Sequence, residues 1–180
     1  MKHIYIVLSQ TGTLVSKALR FYTKDPYNHV SISFDRELTT MYSFGRKHRY
    51  NIFNSGLIFE NFDHGLYPLY PDANCRIIEV AVSDYKYEMM KNSILSFCEN
   101  KDEYRYNMLG ILTYLLGFRW DRKYHYFCSQ FVGHILVEAN LWNQLPAFTK
   151  PMDFYELPNR NLVYEGKIQE FAGYIGKECY

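Results

Sequence analysis

The chain of 180 residues has no surplus of charge: 20 basic side chains meet 19 acidic ones, for a net charge of +1. Bulk electrostatics of this kind give no support to nucleic-acid binding, and no nucleic-acid partner is expected. Cysteine is scarce. Cys75, Cys98, Cys128 and Cys179 stand far apart with no CxxC pair, which speaks against a zinc site and, in a chain this long, against a disulfide framework. Long hydrophobic runs are missing too. The longest, Met108 to Phe118, falls short of the roughly 18 apolar residues that a membrane span requires. The run Ile4 to Leu8 is too short for the core of a secretory signal. These absences lead to the expectation of a cytoplasmic protein in a reducing compartment, without a transmembrane segment. Repeats, low-complexity tracts and linkers are also lacking, so residues 1–180 are expected to form a single domain.

What the sequence has in quantity is aromatic rings, 18 Tyr and 13 Phe, within an apolar share of 48% against 22% charged. That balance belongs to a globular core rather than a disordered chain. Tyrosine suits half-buried strands and cleft walls, where the ring packs and the hydroxyl stays wet. Tyr124, Tyr126 and the stretch GLYPLYPDAN fit either a cleft or an ordinary surface.

Periodicity sets out the elements. Ile4 to Ser9 reads as a strand, and Thr13 to Thr23 as a short amphipathic helix capped by Thr11 or Thr13. Asp25-Pro26 breaks it. From His29 to Phe34 the pattern alternates strictly: Val30, Ile32 and Phe34 share one face, and His29, Ser31 and Ser33 the other. Thr39 to Phe44 is the expected antiparallel partner. Further strands are expected around Leu57 to Phe62 and Cys75 to Val82, with GLYPLYPDAN between them as a long surface loop. Ser83 or Asp84 caps a helix to about Glu99. Tyr106 to Gly117 and Phe131 to Leu141 read as helical, and mixed elements near Leu162 and Phe171 follow Pro151. Strands grouped before helices favour an α+β fold.

Cys128 carries two readings. It stands four residues before Val132 and seven before Ile135, on the apolar stripe of a helix, and free cysteine behaves as a small buried hydrophobe. Tyr124 to Phe127 lack helical amphipathicity, however, so that helix begins at or just before Cys128. Unpaired N–H groups and the positive dipole end there favour a thiolate. A nucleophilic thiolate needs a proton partner, most often histidine. His125 lies in a loop, and His134 faces away from Cys128 along the helix. His3, His48 and His64 sit at the terminus, in a basic cluster and in a turn. His29 differs: it begins a strand and points to that strand's polar face.

Together, TKDPYNHVSISFD and the much later YFCSQFVGHIL resemble the circularly permuted branch of the NlpC-type papain-like cysteine peptidases. This is the YiiX-like group, related to the lecithin:retinol acyltransferases. In that branch a histidine of the form HV(G/S)I precedes a cysteine of the form CSxxF or CSxFV, the order seen here. The resemblance covers residues 4 to 45 and 104 to 141. It implies a papain-like fold: a small antiparallel sheet or barrel packed against helices, one of them with the cysteine at its N-terminus. Residue by residue, Cys128 matches the nucleophile and His29 the general base. Many bacterial members carry a glutamate on the next strand, in a segment of the form VIEA. The matching Met41-Tyr42-Ser43-Phe44 puts Ser43 in that place. A serine orients imidazole more weakly than a carboxylate and cannot stabilise an imidazolium by charge. Either Ser43 suffices, or Tyr42, Asp35 or a water substitutes, or the enzyme is slow.

The resemblance thus implies a thiol hydrolase working through an acyl-enzyme, with no metal or organic cofactor, on a small peptide, isopeptide or acyl-amide substrate. The serine at position 43 keeps a non-catalytic binding module on a degenerate scaffold as an alternative. The run Arg46-Lys47-His48-Arg49 keeps a lipid-directed acyltransferase or phospholipase-like enzyme as another.

Overall fold

The computed structural model describes residues 1–10, 21, 23–46, 55–115, 118, 120 and 122–178. Along the chain, β1 (Lys2–Gln10), β2 (His29–Ser33), β3 (Met41–Arg46), β4 (Ser55–Glu60) and β5 (Asn74–Val82) come first. Then follow α1 (Asp84–Glu99), β6 (Arg105–Tyr106), α2 (Met108–Leu115), β7 (His125–Tyr126) and α3 (Cys128–Glu138). β8 (Arg160–Lys167) and α4 (Phe171–Glu178) complete the order. Six strands form one antiparallel sheet, in the order β4-β3-β2-β1-β5-β8. The fold is mixed α and β. The helix expected over Thr13 to Thr23 falls almost wholly outside the described residues, as does most of the basic run after Arg46.

Alternation along the strands divides the apolar residues between two faces. On one, Ile4, Ile6, Leu8, Val30, Ile32 and Phe44 pack against Met90, Ile94 and Phe97 of α1 and Phe131, Val132 and Ile135 of α3. On the other, Tyr5, Val7, Met41, Cys75 and Ile77 lie under Tyr67, Ile168 and Phe171. β1 is therefore covered on both sides, which explains its unbroken apolar run. Ser83 caps α1 by accepting from the Lys86 N–H at 3.3 Å.

Two expectations change. GLYPLYPDAN is not all surface: Tyr67 is buried, and its hydroxyl lies 3.0 Å from Ser9 Oγ. Loop composition predicts exposure, but this ring closes the second face. The segment after Pro151 is also more than a mixed tail. β8 joins the sheet beside β5, and α4 covers the second apolar cluster, so strands and helices are not cleanly segregated along the chain.

α3 is held over the sheet by rings. Phe44 lies 5.1 Å from Phe131, 5.5 Å from Tyr126 and 6.0 Å from Phe97, centroid to centroid. Each such pair contributes about 0.5–1.5 kcal/mol beyond its buried area. The far side of α3 sits close on the chain near Pro146. A Cβ on Gly133 would stand 3.3 Å from Thr149 Oγ1 and 3.5 Å from Pro146 Cα. Phe44→Ala should cost about 3–5 kcal/mol in chemical denaturation. Tyr85→Ala, at an exposed position on α1, should stay within about 0.5 kcal/mol.

Candidate active site

His29 opens β2 opposite Ser9 of β1, at the end of the sheet. Its ring there can meet groups from both sides of the sheet. Glu60, the last residue of β4, supplies one: its Oε2 and Oε1 lie 2.9 and 3.0 Å from His29 Nε2. Cys128, the first residue of α3, supplies the other, with its thiol near enough to the imidazole to raise the ring's pKa. The site is recessed but not sealed: the side chains of His29 and Glu60 keep 18% and 13% of their exposure.

The Ser31 hydroxyl donates to Glu60 Oε2 and lies 3.4 Å from His29 Nε2. Behind it, Tyr67 and Ser9 share their buried hydrogen bond. Burial pushes the Tyr67 hydroxyl well above its ordinary pKa, and the Glu60 charge adds to the shift. Tyr67 is thus a neutral wall. Gly45 of β3 keeps one side of the imidazole clear. A Cβ there would stand 3.9 Å from His29 Cε1 and only 2.7 Å from Ile58 Cδ1.

Cys128 gets its position from α3. Phe127 is the N-cap residue, with extended backbone, and the first turn closes with Phe131 N–H to the Phe127 carbonyl at 3.0 Å. The N–H groups of Cys128, Ser129 and Gln130 therefore have no acceptor within the helix. Gln130 reaches back to accept from Phe127 N–H at 3.1 Å and from Asn107 Nδ2 at 3.2 Å. Ser129 donates to the Thr149 carbonyl at 2.6 Å. The serine beside the cysteine is thus a fastening for the helix, and Gln130 ties its start to that of α2.

Ser43 is not brought to His29. Its hydroxyl donates to the Val30 carbonyl at 2.7 Å, fully buried. The β2–β3 ladder is short, with pairs only at Ile32↔Tyr42 and Ser33↔Met41, and Ser43 Oγ satisfies a carbonyl where the ladder has stopped. The carboxylate comes instead from Glu60, one strand further out. The other candidates are engaged elsewhere. Asp35 accepts from Thr39 N–H and Ser33 Oγ, and Tyr42 packs against Phe34 and Phe59. His134 lies 3.4 Å from Glu138 and against Phe97, and His125 bonds the Lys123 carbonyl.

Burial opposes a charge on His29. The Glu60 charge, then the hydrogen bonds to Cys128 and Glu60, outweigh it and hold the imidazole well above its ordinary value of 6.5. Among the described residues no cluster of ligating side chains suited to a metal ion occurs. No family model, no curated protein and no solved structure matches the chain.

Because the fold favours protonated His29, its contribution to stability is full below pH 6.5 and is lost as pH rises through the folded-state value. Imidazole NMR should show His29 titrating above the free value, with Glu60→Gln moving the midpoint down. The stability gap between wild type and Glu60→Gln should be open near pH 6, where His29 is protonated, and narrow as pH rises and His29 deprotonates.

Proposed function

We propose that this chain is a cysteine-dependent hydrolase of permuted papain-like type, acting on an amide bond of a peptide, isopeptide or acyl-amide substrate. The observation that supports this most is that one imidazole lies 2.9 Å from a carboxylate and close enough to a thiol at the start of a helix to be held protonated by both. Each partner has a separate task. The helix start favours a thiolate at Cys128 and offers its own N–H to an oxyanion. Glu60 fixes the ring through Nε2 and stabilises the imidazolium by charge. The serine at position 43 speaks for a binding module on the same scaffold, and the Glu60 carboxylate beside His29 favours the enzyme over it.

The reaction runs in two halves. The Cys128 sulfur forms a bond to the substrate carbonyl carbon while His29 carries the thiol proton. As the C–N bond breaks, that proton passes to the leaving amine, and a thioester remains on Cys128. His29 then takes a proton from water, whose oxygen attacks the thioester. The acid departs and the proton returns to sulfur. Nothing is oxidised or reduced.

Alkylation by iodoacetamide, followed cysteine by cysteine by peptide mass spectrometry, tests the site before a substrate is known. Cys128 should label fastest below pH 7, and His29→Ala should slow it about tenfold or more. Cys75, whose thiol is pushed by burial up to about 12, should label last. Equal rates at Cys128 and Cys98, indifferent to His29, would refute the proposal. With a cleaved amide in hand, Cys128→Ser should lower kcat/KM by at least about a hundredfold.

A further inference from the structure

The segment between β6 and β7 is apolar where a surface segment should not be. α2 reads MLGILTYL, yet none of its described side chains belongs to either apolar cluster of the fold. Leu109 is 46% exposed, and after the helix Phe118 is 69% and Trp120 50% exposed. Tyr124, just before β7, is 42% exposed. These side chains are not on a loose strand. Phe118 N–H bonds the Thr113 carbonyl at 2.8 Å, and Arg105↔His125 and Tyr106↔Tyr126 pair the two ends of the segment. Asn107 holds the first turn of α2 through Gly110 N–H at 2.9 Å. A Cβ on Gly110 would fall 2.3 Å from Asn107 Nδ2, so only glycine allows this cap.

Cations accompany the exposed rings. The Arg122 guanidinium lies 5.2 Å from the Trp120 centroid, and Lys123 Nζ 4.8 Å from that of Tyr124. No carboxylate among the described residues forms an ion pair with either. In sequence, Met108 to Tyr124 carries Arg119, Arg122 and Lys123 against the single acid Asp121. Exposed Leu, Phe, Trp and Tyr within one short segment, with Arg and Lys over two of the rings, is the composition of a surface that sits at the lipid–water boundary. There the apolar side chains enter the acyl region, the ring edges stay at the head groups, and the cations meet anionic phosphate. We infer that Leu109, Phe118, Trp120 and Tyr124, with Arg122 and Lys123, form a docking surface for an anionic lipid bilayer. This inference does not depend on Cys128 being a nucleophile.

The two tryptophans of the chain are Trp120 and Trp142, and Trp142 is half-buried against Phe154. In Trp142→Phe, Trp120 is the only indole and reports its own surroundings. The experiment adds vesicles of phosphatidylcholine with one quarter phosphatidylglycerol, or phosphatidylcholine alone, at low salt. Trp120 emission should shift to the blue and be quenched by brominated acyl chains with the anionic vesicles, and the wild-type chain should sediment with them. Arg122→Gln with Lys123→Gln should weaken partition about tenfold or more, and so should Phe118→Ser with Trp120→Ser. Both pairs are exposed or half-exposed, so circular dichroism melts should be unchanged, and Cys128→Ser should bind like wild type. Wild type remaining in the supernatant would overturn the proposal, as would sedimentation indifferent to these substitutions. A blue shift without vesicles, growing with protein concentration alongside a dimer in analytical ultracentrifugation, would assign the surface to a second copy of the chain and overturn it equally.

Discussion

The Glu60 carboxylate brings both oxygens to within 3.0 Å of His29 Nε2 while the two side chains are largely withdrawn from water. Taking an acid and a base out of solvent together is costly unless each finds its partner and its remaining polar atoms are bonded. Here Ser31 meets Glu60, and Tyr67 with Ser9 closes the space behind. The geometry is demanding for the sheet. Glu60 stands opposite Met41, and Met41 opposite Ser33, so in the ladder Glu60 is level with Ser33. His29 lies four residues away along β2, about 13 Å for a straight strand. The contact is a diagonal across two strands, which the twist of the sheet and the length of a glutamate side chain make possible.

The other half of the site depends on how firmly α3 is seated. Its apolar stripe packs into the rings around Phe44, Ser129 fixes it to the Thr149 carbonyl, and Gln130 links its start to Asn107. Cys128 is one of the residues of that buried stripe and is only 7% exposed. The two readings of the cysteine were therefore never exclusive in space: a residue can close the core on one side and present its sulfur to an imidazole on the other.

What could be read from the sequence was what is local. Alternation in HVSISF separated the two faces of β2, Ser83 marked the start of α1, and the loss of amphipathicity before Cys128 marked the start of α3. What could not be read was register. Ser43 occupies the next strand, but its hydroxyl is drawn to Val30 where the β2–β3 ladder ends. Glu60 was invisible as a partner because a diagonal contact depends on sheet twist, which no single strand encodes. Tyr67 was hidden by its company. Proline, glycine and aspartate around it signalled a loop, and nothing local showed that the ring would turn inward beneath β1. β8 escaped for a related reason: its burial pattern is weak, as expected of an edge strand covered by few side chains.

That edge strand has a consequence for how the molecule is made. Cys75 of β5 pairs with Gly166 of β8, so roughly ninety residues must be synthesised between one partner and the other. At about 5–20 residues per second, the outer edge of β5 waits roughly 5–18 s after emerging on the ribosome before β8 can cover it. The second apolar cluster waits as long for Ile168 and Phe171. Throughout that interval the nascent chain displays an unpaired strand edge of the kind that invites association with its neighbours. The final segment therefore decides how much of the newly made protein reaches the folded state rather than an aggregate.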